Sequence, residues 1–200
     1  MSIILASQSP RRRELLRQMG ITDFEIRPAV GAELIDPALT PIQIVEMLSR
    51  QKAEEVAASA GAEDIVIAAD TVVSVDGRVL GKPRTEKDAF RMLSSLSGRS
   101  HTVYTGVTVR RGNEASTHYE ATKVQFRKLT EHEISCYIAT GEPMDKAGAY
   151  GIQGFGGMLV SGIEGVYSNV VGLPVCLLGQ MLLPFGIDAL ALAAGKSKEN

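Results

Sequence analysis

The run Ile65-Val66-Ile67-Ala68-Ala69-Asp70-Thr71-Val72-Val73-Ser74-Val75 constrains the fold more than any other stretch of the chain. It is apolar and rich in β-branched side chains, a composition that suits a buried, pleated strand. A strand apolar on both faces belongs inside a sheet rather than on its surface. Asp76-Gly77 follows as a hairpin turn that brings the chain back through Val79-Leu80. Within this strand Asp70 breaks the pattern. A carboxylate is costly to bury unless a cation, a metal ion or a set of donors meets it. Catalytic carboxylates are often found in such places, and a buried ion pair or a cap on a neighbouring turn is the structural alternative.

The other elements arrange themselves around this strand. Ile3 to Ala6 reads as a second, short buried strand. Ser9-Pro10 then supplies an N-cap and a first helical residue, Leu15, Leu16 and Met19 give an apolar stripe, and Gly20 is a natural stop. Phe24-Glu25-Ile26 alternates as a strand. Thr40-Pro41 opens a helix to about Ala58, and Glu86 to Leu96 has helical spacing. Thr102 to Arg110 and Ser116 to Phe126 alternate as two strands of a long antiparallel hairpin, joined by Arg111-Gly112-Asn113-Glu114. Thr130 with Glu133 forms a capping box signature. Residues 147 to 172 are glycine-rich, Pro174 starts a last sizeable helix, and an amphipathic stretch runs to about Ala194 before a frayed tail over 195–200. The mixture of βα units with an antiparallel ribbon predicts an α/β domain with a mixed sheet, one domain over residues 1–200.

Composition removes several classes of function. A formal net charge of −2 gives no global positive field for nucleic acid, and the chain shows no aromatic stacking platform on a basic surface. Any anion site must be local. Cys136 and Cys176 stand in apolar contexts without a close second Cys or His, which predicts buried, reduced thiols rather than a disulfide or zinc site. The apolar start Ile3-Ile4-Leu5-Ala6 has no basic flank and is too short for a signal peptide or a membrane span, so a cytoplasmic location is the expectation. His101, His118 and His132 have no metal-ligand spacing.

Four further features stand out. Arg11-Arg12-Arg13 places three cations in the first turn of a helix, where the macrodipole already supplies about half a positive charge. That arrangement is explained by an anion docked on the helix N-terminus and clasped by arginine forks, with Ser7 and Ser9 as added donors; a solvated basic patch is the alternative. No G-x-x-x-x-G-K-[ST] loop occurs. Lys52 falls on the same helical face as Val45, Leu48 and Val56, so it must snorkel, pair, or reach into a cleft. Gly81-Lys82-Pro83 closes the hairpin after Asp70 and can return a lysine over the same place, or be a plain turn. The tract from Asp145 to Gly157 carries five glycines and a single amide, Gln153; glycines permit close backbone approach, and an amide can read a base edge. Its spacing is not a dinucleotide-binding fingerprint.

Taken together, these segments resemble a known family. Leu5-Ala6-Ser7-Gln8-Ser9-Pro10-Arg11-Arg12-Arg13-Glu14-Leu15-Leu16 is similar to the N-terminal signature of the Maf family, and Ala69-Asp70-Thr71, Gly81-Lys82-Pro83, Leu96-Ser97-Gly98 and the Asp145-to-Gly154 tract follow in the family's order. The resemblance implies an elongated mixed β-sheet flanked by helices, two lobes with a central cleft, similar to the inosine triphosphate pyrophosphatase fold. It implies hydrolysis of a nucleoside triphosphate between the α- and β-phosphates, with a divalent cation, Mg²⁺ or Mn²⁺. By position, Asp70 is the implied general base. Ser7, Ser9, Arg11, Arg12, Lys52, Thr71, Lys82 and Gln153 are the implied substrate contacts, and Glu33 with Asp70 the implied metal ligands. The Lys146-to-Gly154 stretch looks like the branch acting on dTTP and UTP, and a cytoplasmic homodimer with no nucleic-acid or membrane partner is the implied assembly. Two other readings stay open: the same chemistry on a modified nucleotide such as 7-methyl-GTP, and a nucleotide-binding regulator of septum formation.

Overall fold

The computed structural model describes residues 1–33, 36 and 38–196. In chain order its elements begin with β1 (Ile3–Leu5), α1 (Pro10–Gln18), β2 (Glu25–Ile26), α2 (Pro41–Ala57), β3 (Ile65–Val75), β4 (Arg78–Leu80) and α3 (Glu86–Leu96). They continue with β5 (Ser100–Arg111), β6 (Glu114–Phe126), α4 (Glu131–Ala139), β7 (Val160–Glu164), α5 (Tyr167–Val171), α6 (Val175–Leu182) and α7 (Ala189–Lys196), with short 3-10 turns between them.

The strands form one seven-stranded sheet in the order β2-β1-β3-β5-β6-β7, with β4 also on β3. β1 runs parallel to β2 and β3, and the other pairs are antiparallel, so the sheet is mixed. β3 pairs with β5 from Ile65↔Arg111 to Ser74↔Thr102. Its other edge is shared: β1 covers Ile65 to Ile67, and β4 covers Val73 to Val75. Between them, among the described residues, 68–72 have a strand partner on the β5 side alone. The sheet therefore has a gap beside the middle of its longest buried strand.

Strand alternation explains where the core sits. On one face Ile65, Ile67 and Ala69 pack with Leu5, Leu16, Leu173 and Leu178, whereas Val73 and Val75 pack with Leu93, Leu96, Phe126 and Tyr137. Thr71 is the residue between the two clusters. On the other face Val66 and Ala68 meet Ala53 and Val56 of α2, and Val72 meets Ile44, Val45 and Leu48. Asp70 is the residue between those. The polar dipeptide thus divides the core at one level on both faces, giving two lobes. Each fully buried leucine here contributes about 1.5–3 kcal/mol relative to an exposed one.

Local chemistry sets the helix starts. Ser9 caps α1, accepting from the Arg12 N–H at 3.4 Å. Thr40 and Gln43 form a reciprocal capping box at α2, as Thr130 and Glu133 do at α4. The turn Asp76-Gly77 has positive φ at both residues, 51° and 74°, which matches the twist of a two-residue hairpin.

Four expectations need correction. The long hairpin is joined by Gly112-Asn113 alone, because Arg111 and Glu114 pair across it and the alternation runs to its tip. The glycine-rich stretch holds β7 and α5, hidden in the sequence because β7 is a short edge strand with little apolar alternation. Both cysteines are exposed. The buried face of α4 is Ile134, Tyr137 and Ile138, and that of α6 is Leu178, Met181 and Leu182, so apolar neighbours in sequence do not share the cysteine's face. Cys136 also has a close histidine, with its Sγ 3.5 Å from His132 Nε2, one turn away. Finally, Gly195 and Lys196 belong to α7, and 197–200 lie outside the described residues. No single helix among the described residues is long and apolar enough to cross a membrane.

Candidate active site

The gap beside β3 opens into a cleft of about 880 Å³. Ser7, Ser9, Arg11, Arg12, Glu33, Lys52, Asp70, Thr71, Lys82 and Gln153 all line it. Residues from sequence positions 7 to 153 thus converge on one place. Arg13 does not line it; its Nε is buried without a hydrogen-bond partner among the described residues.

Two adjacent residues of β3 organise the site from opposite faces. Asp70 points to the α2 side, where Lys52 Nζ donates to its Oδ1 at 2.5 Å and to Glu33 Oε1 at 2.7 Å. Of the three fates open to Lys52, it pairs and reaches the cleft together. α2 also holds the segment that brings Glu33 in. Glu55 accepts from the N–H groups of Val30 (2.7 Å) and Gly31 (3.1 Å), and Gln51 donates to Ala32 O at 3.2 Å. Burial works against the Glu33 charge, but the hydrogen bond and charge of Lys52, aided by Lys82 and Arg12, hold its carboxyl below the usual range.

Thr71 points to the α1 side. Arg12 uses all three nitrogens of its fork there: Nε donates to Gly172 O (2.8 Å), one Nη to Ser7 Oγ (3.3 Å) and the other to Thr71 Oγ1 (3.0 Å). Thr71 Oγ1 lies 3.0 Å from Thr105 Oγ1, and Thr105 donates to Asn169 O at 3.1 Å. Each hydroxyl has one proton, so the direction is fixed: Arg12 gives to Thr71, Thr71 to Thr105, and Thr105 to the Asn169 carbonyl. Thr105 and Asn169 are fully buried, and Asn169 Nδ2 is itself held by Val103 O (3.0 Å) and Thr122 Oγ1 (2.9 Å). Burial pulls the Arg12 guanidinium down from its ordinary value, with Asp70 acting in the other direction.

The helix N-terminus is less open than its sequence suggests. Pro10 has no N–H, the Arg12 N–H goes to Ser9 Oγ and the Arg13 N–H to Ser9 O. Among the described residues, the backbone of this turn keeps one unengaged donor, on Arg11. Arg11 Nη1 stands 4.0 Å from Asp145 Oδ2 across the cleft. Lys82 and Gln153 are exposed on the cleft wall, and Gln153 makes no hydrogen bond among the described residues. The lining holds five cations (Arg11, Arg12, Lys52, Lys82, Lys146) against three carboxylates (Glu33, Asp70, Asp145), a positive pocket in a chain of net charge −2. No cluster of three or more His, Cys, Asp or Glu able to hold a metal by itself occurs among the described residues.

Residues 2–185 match the family model described as Maf-like protein. The chain belongs to this family. Maf relatives with which it shares about half its residues include the dTTP/UTP pyrophosphatase of Moorella thermoacetica, 53% identical over 93% of this chain and 96% of that protein. The dTTP/UTP pyrophosphatase of Agathobacter rectalis is 51% identical over 93% and 98%, and that of Carboxydothermus hydrogenoformans 53% over 93% and 100%. Among solved structures, this Maf-like chain is similar to the Ham1 protein of Staphylococcus aureus, with 13% identity over 63% of this chain and 72% of that one and a TM-score of 0.44. It is also similar to a HAM1 protein of Coxiella burnetii, with 16% identity, 64% and 74% coverage and a TM-score of 0.43.

Sequence reasoning missed the residues that support the Maf site from behind: Glu55, Thr105, Asn169 and the Gly172 carbonyl. Asn169 carried a readable signal, a lone amide between the apolar Val166 and Val170-Val171. The Gly172 carbonyl carried none, since backbone acceptors have no side-chain signature.

Proposed function

We propose that this chain is a nucleoside triphosphate pyrophosphatase that hydrolyses dTTP and UTP to the monophosphate and pyrophosphate, in one domain over residues 1–200. The observation that carries the reading is the pairing of Asp70 and Thr71. From one strand position they present a Lys52-braced carboxylate and an Arg12-bound hydroxyl to a positively charged cleft. The cleft volume, about 880 Å³, suits a ligand of nucleotide size. The names and extent of identity of the Maf relatives support the choice of substrate.

In this reading Arg11, Arg12 and Lys82 offset the polyphosphate charge as positioned donors, with Ser7 and Ser9 at the same end. Arg12 arrives already oriented, so little reorganisation is needed when phosphate binds. Asp70 accepts the proton of the water that attacks the α-phosphorus, and Lys52 keeps its carboxylate oriented. Gln153 reads the pyrimidine edge from the opposite wall. The acidic pair also fits a hard divalent cation. Asp70 and Glu33 each give one oxygen to Lys52 and keep the other free of hydrogen bonds among the described residues, so these two carboxylates would hold the ion. Such a cation, Mg²⁺ or Mn²⁺, polarises the phosphorus and neutralises charge when bound. Family membership supports a cytoplasmic homodimer acting without nucleic-acid or membrane partners; light scattering of the purified protein tests the dimer.

The deciding experiment incubates the protein with a panel of canonical and modified nucleoside triphosphates, with Mg²⁺, with Mn²⁺ and with EDTA, and measures pyrophosphate against orthophosphate. Metal-dependent pyrophosphate release, greatest with dTTP and UTP, is expected. Orthophosphate release, or no release from any nucleotide, overturns the reading.

A further inference from the structure

The glycines after Tyr150 gather around one side chain that lies outside the cleft lining. Glu142 heads a 3-10 turn, Glu142–Asp145, beyond the end of α4. Its Oε2 accepts from the Phe155 N–H at 2.8 Å, and its Oε1 accepts from the Gly156 N–H at 3.0 Å and from Tyr137 Oη at 2.8 Å. Tyr137 Oη in turn accepts from the Gly151 N–H at 3.2 Å. Three backbone donors of the 151–156 loop therefore close, directly or through one phenol, on a single carboxylate. The loop is glycine-rich because it wraps so tightly. A Cβ at Gly154 would lie 2.1 Å from Glu142 Oε2, and one at Gly156 would lie 2.7 Å from Tyr137 Oη and 2.6 Å from the Gly151 carbonyl. Lys146 adds a further clamp, donating to the Glu142 carbonyl at 2.8 Å.

Gln153 sits inside this loop, between the residues so held, and it is the loop's amide on the cleft wall. Among the described residues its own side chain has no hydrogen bond to fix it. Its position is therefore inherited from the backbone on either side, and that backbone is fixed by Glu142.

We propose that Glu142 is a positioning residue for substrate choice, and that its carboxylate holds the 151–156 loop in the shape that presents Gln153 to the base of a pyrimidine nucleotide. The inference rests on the reading of Gln153 as the base-contacting amide. Glu142 touches neither substrate nor reacting atoms. The Phe155 and Gly156 N–H groups bond to different oxygens of the carboxylate, so a glutamine, with an NH2 in place of one oxygen, faces one of these donors with another donor.

The test measures kcat/KM for dTTP, dCTP, dGTP and ribose 5-triphosphate with the wild type, Glu142→Gln, Tyr137→Phe, Gln153→Ala and the double variant E142Q/Q153A. The dTTP-to-dCTP ratio is expected to fall about ten-fold in Glu142→Gln, the scale of one lost hydrogen bond to the base. Tyr137→Phe should move it in the same direction by less, and the base-free ribose 5-triphosphate should be hydrolysed at an unchanged rate by both. In the Gln153→Ala background the Glu142 substitution should change the ratio no further. An altered ratio in Gln153→Ala with an unaltered one in Glu142→Gln overturns the role of Glu142 and leaves the reading of Gln153 standing. An unaltered ratio in Gln153→Ala overturns both. Equal losses on all four substrates mark a merely structural residue and overturn the proposal. If Glu142→Gln does not fold, Tyr137→Phe decides between the same outcomes.

Discussion

Asp70 stands directly opposite Gly106 in the β3–β5 ladder. The glycine is what lets α2 lie against the sheet at this level, since a Cβ there would fall 2.2 Å from the Val45 carbonyl oxygen. Close approach of the helix is also what lets Lys52, less than two turns further on, reach the carboxylate. Gly106→Ala is expected to push α2 outward, destabilising the fold by about 1–3 kcal/mol, the usual scale for overpacking a core. The same displacement should draw Lys52 from Asp70 and lower kcat. Thermal unfolding and steady-state kinetics on one preparation check both; wild-type values of either count against the coupling of packing to the site.

Arg12→Lys tests the fork. A lysine keeps the charge but cannot reach the Gly172 carbonyl, Ser7 and Thr71 together. The KM for triphosphate should rise about ten-fold or more, the scale of one charge-assisted hydrogen bond, with smaller change in kcat. An unchanged KM would show that charge alone is enough.

Asp70→Asn should leave the fold intact, because the amide oxygen still accepts from Lys52. Turnover should drop by about 10²–10⁴-fold, the range for a lost general base. Circular dichroism alongside pyrophosphate assay separates this outcome from unfolding, and near-wild-type turnover removes Asp70 from the base role.

The pH dependence of stability has a definite sign. His101 is buried between Phe126 and Tyr150, with Nε2 2.8 Å from Tyr150 Oη and Nδ1 without a partner among the described residues. Burial lowers its pKa from 6.5 to about 4. Between those values the unfolded chain binds the proton and the folded one does not, so this contribution is complete above pH 6.5 and is lost as pH falls toward 4. The loss is expected to approach about 3 kcal/mol, and His101→Gln should flatten the slope. Denaturant unfolding at a series of pH values reads it directly.

How far the fold was legible depends on how local its causes are. The bounds of β3 and α3 follow from composition and periodicity, and the caps at Ser9, Thr40 and Thr130 from hydrogen bonds spanning three residues. The anomalies of Arg12, Lys52 and Asp70 were visible because each is a charge where the pattern calls for none. What was hidden is long-range. Cys136 and Cys176 look buried until the helix faces are known. Glu142 resembles any turn glutamate until the chain thirteen residues later folds back on it, and the Gly172 carbonyl is anonymous until Arg12 arrives from 160 positions away.

The break in strand pairing at residues 68–72 has one more consequence. Side chains change face at every step along a strand, so a slip of the β3–β5 ladder by one residue would exchange the two sides of the doorway. The carboxylate would be delivered to the arginine and the hydroxyl to the lysine, with every apolar neighbour inverted alongside them. Only one register also sets a glycine beneath the Val45 carbonyl. The parity of one ladder thus determines which oxygen group meets which cation, and the packing of a helix on a single missing side chain keeps that parity.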